Sequence, residues 1–225
     1  MKHIVVLTGA GISAESGIKT FRDADGLWEG HDVMEVASPQ GFAKDPELVL
    51  DFYNQRRRQL LKVQPNAAHI ALADLEKDYK VTIITQNVDD LHERAGSSNI
   101  IHLHGELLKA RSIENETDIF EWSKDIHLGD TCKKGGQIRP HIVWFGEAVP
   151  MIEKAIKICK TADIILIIGT SMQVYPAASL MDYAPQDAST YYIDPKPSIK
   201  SNKGVIIIPR TATEGMVDFI KLLKS

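Results

Sequence analysis

The chain has 225 residues with 26 Lys and Arg against 30 Asp and Glu, a formal net charge of −4, which is enough for one α/β domain with a substantial core and a small inserted module. That balance excludes the broad basic field expected of a protein whose main partner is nucleic acid. No run of about 18 apolar residues occurs, Met1-Lys2-His3 leads straight into a strand, and Cys132 and Cys159 are too few for a disulfide framework, so no membrane span, no signal peptide and a cytoplasmic location are expected.

Ile4 to Leu7 is a β-branched apolar run without alternation, the pattern of a parallel strand covered on both faces. Gly9, Gly11 and Ala14 follow it in the spacing G-x-G-x-x-A. Such a turn either lets the backbone approach a pyrophosphate at a helix N-terminus or is only a tight connection. The acidic ribose ligand of an ordinary hydride-transfer dehydrogenase would end a second strand about 20 residues on. Here Thr20 to Gly26 reads as loop, so any bound dinucleotide is held differently. Residues 23 to 38 continue as a loop, with Asp25-Gly26 and Gly30 as breakers, long enough to fold over a cofactor.

A helix is predicted from Pro46 to about Lys62, burying Leu48, Phe52 and Leu60, and a second from Asn66 to Glu76. Val81 to Thr85 is the next strand, Val88 to Arg94 a short helix ended by Gly96, and Ile100 to His104 a third strand. Residues 106 to 139 turn polar and read as an excursion from the sheet, and Ile142 to Phe145 resumes extended chain. A helix from Pro150 to Lys160 precedes Asp163 to Ile168, the clearest strand, followed at once by Gly169-Thr170-Ser171. Strands at Tyr191 to Asp194 and Val205 to Ile208, then an amphipathic helix from Glu214 to Lys224, complete an α/β, doubly wound parallel Rossmann-like sheet with a smaller inserted helical and loop lobe.

Ligands of such sheets bind beyond the carboxyl ends of the strands. Polar or glycine-rich groups stand there after four strands: Gly9 to Ser13, Thr85 to His92, His102 to Gly105, and Gly169 to Ser171. Any one could be a loop cap, but four around one crevice point to a binding site.

The segments G-A-G-I-S-A-E-S-G-I-K-T-F-R, T-Q-N-V-D-D-L-H, H-G, I-V-W-F-G-E and G-T-S-M-Q-V-Y-P-A-A occur in an order that resembles the sirtuins, NAD-dependent protein-lysine deacylases, over nearly the whole chain. The resemblance implies that Gly9, Ala10, Gly11, Ser13, Phe21, Arg22, Gln86, Gly169, Thr170, Ser171 and Ala212 line an NAD site, with Asn87 and Asp89 at the nicotinamide ribose and carboxamide. Asp194 stands where the family commonly has an Asn at the adenine ribose, and a carboxylate can still accept ribose hydroxyls. His104, before Gly105, matches the general base, a role suited to an imidazole that is neutral near pH 7. His102 forms an H-x-H pair with it, but with no third ligand nearby no metal is expected, and His102 reads as a packed or capping residue.

The implied chemistry has the acyl-lysine carbonyl oxygen attack the anomeric carbon as nicotinamide leaves, then yields free lysine and O-acyl-ADP-ribose. Val143, Phe145, Gly146, Glu147 and Val174 match the strip on which sirtuins bind substrate backbone as an added strand. Sirtuins often hold structural zinc in the excursion with two C-x-x-C pairs. Here only Cys132 and His127 qualify, Ser112 and Gly135 standing where cysteines would be, so the lobe is expected to be held instead by Ile113, Ile119, Phe120, Trp122 and Ile126. Tyr53 and Arg56 lie at i and i+3 of the Pro46 helix. On periodicity alone Arg56, Arg57 and Arg58 read as a solvated basic face. With Ala37, however, Tyr53 and Arg56 match the sirtuin subgroup that removes succinyl, malonyl and glutaryl groups. The resulting expectation is a monomeric deacylase with an NAD-binding unit of residues 1–27, 63–105 and 140–225 and a smaller unit of 28–62 and 106–139. A plain deacetylase, an NAD-sensing binder and an ADP-ribosyltransferase are the alternatives.

Overall fold

The computed structural model describes residues 1–19, 27–198 and 204–224. Strand β1 (His3–Thr8) runs into a single helical turn, α1 (Ala10–Ser13), and a 3-10 turn over Ala14–Ser16. The stretch expected to be loop holds a two-stranded hairpin, β2 (Leu27–Trp28) and β3 (His31–Asp32), and helix α2 (Val33–Val36), followed by α3 (Pro39–Lys44). Asp32 and Ser38 cap these helices, their side chains accepting from Met34 N and Gly41 N, and elements this short leave no periodicity to read. Helices α4 (Pro46–Leu60) and α5 (Ala67–Leu75) match the expectation, α5 opening on a capping box between Asn66 and His69.

Strand β4 (Lys80–Thr85), helix α6 (Leu91–Arg94) and strand β5 (Ile100–His102) come next. The excursion is folded as sheet, not as helix and loop: β6 (Gly105–Ser112) pairs antiparallel with β7 (Ile119–Glu121) and with β8 (Ile138–Ile142). Chain then continues through α7 (Ile152–Cys159), β9 (Ile164–Ile168), a 3-10 helix (Ala177–Tyr183), β10 (Ser189–Ile193), β11 (Val205–Ile208) and α8 (Ala212–Lys224). The main sheet has the order β11-β10-β9-β1-β4-β5, all parallel. Counted from β1 the chain winds outward through β4 to β5, then returns beside β1 at β9 and winds the other way. That reversal is the topological switch point where doubly wound sheets open a ligand crevice.

Apolar clusters cover both faces of this sheet. Ile4, Val6, Ile83, Leu166 and Phe219 lie in one, and Val5, Leu7, Ile84, Ile165 and Tyr192 in the other. Alternate residues of one run therefore point to opposite layers, which is why the strands read as unbroken hydrophobic stretches. A third cluster joins α2, α4 and the chain after β8 through Val36, Ala37, Phe52, Tyr53, Leu107 and Trp144. The fourth holds the antiparallel sheet against α4 through Leu50, Ala110, Ile126, Cys132 and Ile138, with Phe120 and Trp122 at its margin. Ile113 and Ile119, expected in that core, are exposed.

Asn54 and Arg57 tie α4 to the small sheet. Asn54 makes both amide bonds to Ile126, Nδ2 donating to its carbonyl at 2.9 Å and Oδ1 accepting from its N–H at 2.8 Å. Arg57 Nη1 donates to the same Asn54 oxygen at 2.8 Å and Nε to the carbonyl of Leu107 at 3.1 Å. Arg57 is fully buried, so the basic face of α4 is not simply solvated as its run of arginines suggests.

Candidate active site

At the switch point the loops after β1 and β9 are bonded to each other. Gly9 N donates to the carbonyl of Ile168 at 3.1 Å and Gly11 N to that of Gly169 at 2.8 Å. A Cβ at Gly11 would stand 2.6 Å from Gly169 Cα, and one at Gly9 2.7 Å from Thr170 Cβ. Both glycines are thus required by the chain's own close approach, the tight-connection reading of the turn. The turn also opens one turn of helix, Ala10–Ser13. Thr170 is fixed from two sides, its carbonyl accepting from Tyr192 Oη at 2.7 Å and its Oγ1 from Gln86 Nε2 at 3.1 Å. Ser171, partly buried, follows it, and its carbonyl accepts from Ser198 Oγ at 2.7 Å. Asp194 is buried beyond β10, its Oδ1 accepting from Lys196 N, and Ala212 is buried at the start of α8. Phe21 and Arg22 lie outside the described residues.

Three buried side chains from two strand ends form one donor chain. Asn87 Nδ2 donates to Ser13 Oγ at 3.1 Å, and Ser13 Oγ donates to Asp89 Oδ2 at 2.9 Å. The N–H of Leu91 reaches Asp89 Oδ1 at 3.2 Å. Burial pushes the Asp89 carboxyl up to about 6, against these hydrogen bonds, which pull it down. Behind Ser13 lie two histidines to which the sequence reading gave no role, their ring centroids 4.9 Å apart. His69 Nε2 stands 3.5 Å from Ser13 Oγ and His92 Nε2 3.1 Å from Thr8 Oγ1. Burial lowers His69 to about 4 and His92 well below its ordinary value, so both are neutral at pH 7. The polar run T-Q-N-V-D-D-L-H contained His92, whereas a histidine three residues after an N-cap asparagine reads as helix capping.

His104 follows β5 with its Nδ1 3.1 Å from the carbonyl of Gln86. A carbonyl only accepts, so Nδ1 carries the proton and the neutral ring presents an unprotonated Nε2. Burial lowers its pKa, the Gln86 carbonyl opposing, so this base form prevails at pH 7. His102 has different partners, with Nδ1 3.2 Å from the carbonyl of Asn87 and Nε2 2.7 Å from Glu93. The expectation that no third ligand lies near it needs correction. Ligand atoms of Glu93, His102 and Glu106 fall within 4.8 Å of one another, brought together by the fold and not by sequence spacing. Lys109, with Nζ 2.8 Å from Glu106, already supplies positive charge there.

A second group gathers where α2, α4 and the chain after β8 meet. Ala37 and Tyr53 are buried in one cluster with Trp144, whose indole donates to Tyr53 Oη at 2.9 Å. Burial pushes the Tyr53 phenol well above its ordinary range, so it stays protonated. Arg56 lies over the Phe52 ring at 3.6 Å from its centroid. Its charge is felt at Tyr53, as the two share one side of α4.

Val143 to Glu147 is not strand in this structure, because β8 ends at Ile142. Val143 N donates to the carbonyl of His104 and Phe145 N to that of Ala37, both at 2.9 Å, while Gly146 takes φ +91°. The segment is pinned by Glu147, whose carboxylate receives Arg139 Nη1 at 2.7 Å, Arg111 Nη2 at 3.1 Å and Trp144 N at 2.8 Å. Despite burial, those donors hold the Glu147 carboxyl below the usual range. Phe145 is exposed, and Val174 is partly buried with its carbonyl accepting from Ala178 N.

A model of the Sir2 family matches residues 9–176. The chain is 68% identical over 196 residues to an NAD-dependent protein deacylase of Helicobacter pylori, spanning 87% of this chain and 86% of that protein. It is 54% identical over 230 residues to an NAD-dependent protein deacylase of Bacteroides thetaiotaomicron, covering 99% and 98%. Among solved structures it resembles a Sir2 homolog–NAD complex with TM-score 0.89 and 42% identity, covering 99% of this chain and 90% of that one. A Sir2–p53 peptide–NAD+ complex matches with TM-score 0.81 and 29% identity, covering 98% and 93%.

Proposed function

The chain belongs to the Sir2 family, and from that footing we propose that it removes acyl groups from protein lysines with NAD, preferring succinyl and malonyl to acetyl. The residues at the switch point suit NAD: Ser13, Asn87, Asp89, Thr170 and Asp194 are buried polar side chains at the ends of parallel strands. Carbonyl and carboxylate oxygens there can accept ribose hydroxyls, and amide and hydroxyl groups can donate to phosphate and carboxamide. Bound NAD supplies an anomeric carbon from which nicotinamide can leave. The protein's part is to orient, to exclude water and to move one proton.

His104 takes that proton at Nε2 from a ribose hydroxyl, because Nδ1 is committed to the Gln86 carbonyl and burial keeps the ring neutral. The Asn87–Ser13–Asp89 chain fixes the Asn87 amide beside it. Val143 to Glu147, together with Val174, receives the substrate backbone, and the Glu147 ion pairs hold the 143–147 strip in shape. The observation that carries the activity is His104, bonded through Nδ1 to the carbonyl of Gln86, the residue that precedes Asn87 of the buried Asn87–Ser13–Asp89 chain.

Acyl preference rests on Ala37, Tyr53 and Arg56. A small Ala37 leaves room for a longer chain, and Arg56 with Tyr53 offers charge-assisted and hydroxyl donors to a terminal carboxylate. The NAD-binding unit of residues 1–27, 63–105 and 140–225 and the smaller unit of 28–62 and 106–139 belong to the same proposal. Zinc does not fit the smaller unit: Cys132 is buried among Leu50, Ala110, Ile126 and Ile138, and His127 is exposed. A panel of peptides bearing succinyl, malonyl, acetyl or unmodified lysine, assayed for nicotinamide release, tests the reading. Release that needs an acylated peptide supports it, release without one contradicts it, and label transferred to the peptide or protein would make the chain an ADP-ribosyltransferase.

A further inference from the structure

Arg56 has more donor capacity than the described residues use. Its Nη1 donates to the carbonyl of Phe52 at 2.6 Å, while Nε is buried with no hydrogen-bond partner. Nη2 has an approach of 3.9 Å to Glu29 Oε2, and the side chain is only 13% exposed. A buried guanidinium calls for a counter-charge, and among the described residues Glu29 is the carboxylate that most favours its charged form, ahead of Asp51.

Glu29 has a second cation in reach, Lys19 Nζ at 3.1 Å on the same Oε2, and that lysine is 72% exposed. The residue sits in the turn between β2 and β3 at φ +52°, a conformation that side chains other than Asn, Asp and Gly adopt at a cost. A carboxylate shared between two cations, and closer to the lysine, therefore faces the guanidinium that an acidic acyl group would use.

We propose that Glu29 is a specificity-determining residue, the resident counter-ion of Arg56, which an acyl carboxylate displaces and which then retires onto Lys19. This rests on the acidic-acyl reading above and deepens it. Two carboxylates around one partly buried guanidinium repel each other, so Glu29 opposes entry of an acidic group. An acetyl group brings no charge and meets no such opposition. Lys19 eases the exchange by giving Glu29 another partner. Glu29→Gln should therefore favour acidic acyl groups and Lys19→Met disfavour them, opposite signs from substitutions at two side chains that lie 3.1 Å apart.

The test measures KM for succinyl and acetyl peptides of one sequence with the wild type, Glu29→Gln, Lys19→Met and Arg56→Met, at low and high salt. Glu29→Gln is expected to lower the succinyl-to-acetyl KM ratio by about two- to fivefold and Lys19→Met to raise it, with both effects shrinking as salt is added. A ratio that rises in Glu29→Gln would mean that Glu29 holds Arg56 in place for substrate, and an unchanged ratio would remove it from selectivity; either overturns the proposal. Equal losses on both peptides in Arg56→Met sink the acidic-acyl reading itself. A selective loss there with no shift in Glu29→Gln sinks this inference alone.

Discussion

The cluster of Ser13, Asn87, Asp89 and His104 and the cluster of Ala37, Tyr53 and Arg56 are built from different material. Each member of the first follows or closes onto a parallel strand, and its donors are spent on its own neighbours: Asn87 on Ser13, Ser13 on Asp89, His104 on Gln86. The second is assembled from α2, α4 and the segment after β8, and its arginine keeps an unused Nε. A pre-satisfied cluster suits a step common to all substrates, and an under-satisfied one suits the choice among them.

The sharpest way to break this division is His104→Tyr. Loss of a general base should cost about 10²-fold or more in turnover on every acyl peptide while NAD still binds, checked by steady-state rates beside calorimetric titration with NAD. A folded variant with near-normal turnover would remove His104 from the chemistry. Arg56→Met comes next, with an expected loss of about one to two decades on succinyl peptide and a much smaller one on acetyl peptide.

Asn54→Ala probes the scaffold instead of either cluster. It leaves the buried N–H and carbonyl of Ile126 and a bond of Arg57 unmet, which should cost about 1 to 3 kcal/mol in thermal or denaturant unfolding. Unchanged stability would show that the small sheet is held by its apolar packing alone.

The smallest expected effect is on the pH dependence of stability. His69, lowered to about 4, and His92 are less protonated folded than unfolded below their ordinary value of 6.5, so unfolding takes up protons there. Their contribution is whole above 6.5 and falls as pH drops toward 4. Asp89, raised to about 6, works the other way, contributing most below its ordinary 3.8 and losing that as pH rises to about 6. Two histidines against one carboxyl leave a net decline in acid, so the melting temperature should be lower at pH 5 than at pH 7. An equal or higher value at pH 5 would contradict this.

The two clusters also differed in how far they could be read from sequence. The sheet was legible because β1 and β9 are buried on both faces and show no alternation, and the motif residues after them fall at the switch point. His104, Asn87 and Asp89 stood out in the sequence as polar groups at strand ends, and their expected roles came from the family resemblance alone. The surroundings of Arg56 were not: Glu29 comes from a turn between strands of two residues each, too short for any pattern, and the buried Arg57 is hidden in a run of three arginines. The excursion concealed its strands because β6 carries buried Arg111 and Ser112 among its apolar residues, the arginine made tolerable by Glu147 in another segment. The Glu93, His102 and Glu106 group likewise depends on a fold that joins three segments.

One competition assay tests the central claim most directly. Succinyl-lysine and acetyl-lysine peptides of one sequence are mixed at equal, sub-saturating concentration with NAD, and peptide, nicotinamide and O-acyl-ADP-ribose are followed together by mass spectrometry. The expected result is faster loss of the succinyl peptide, with each deacylation matched by one nicotinamide and one O-acyl-ADP-ribose. Faster loss of the acetyl peptide would contradict the assignment of Arg56 and Tyr53, and deacylation without matching nicotinamide would contradict the NAD-dependent activity itself.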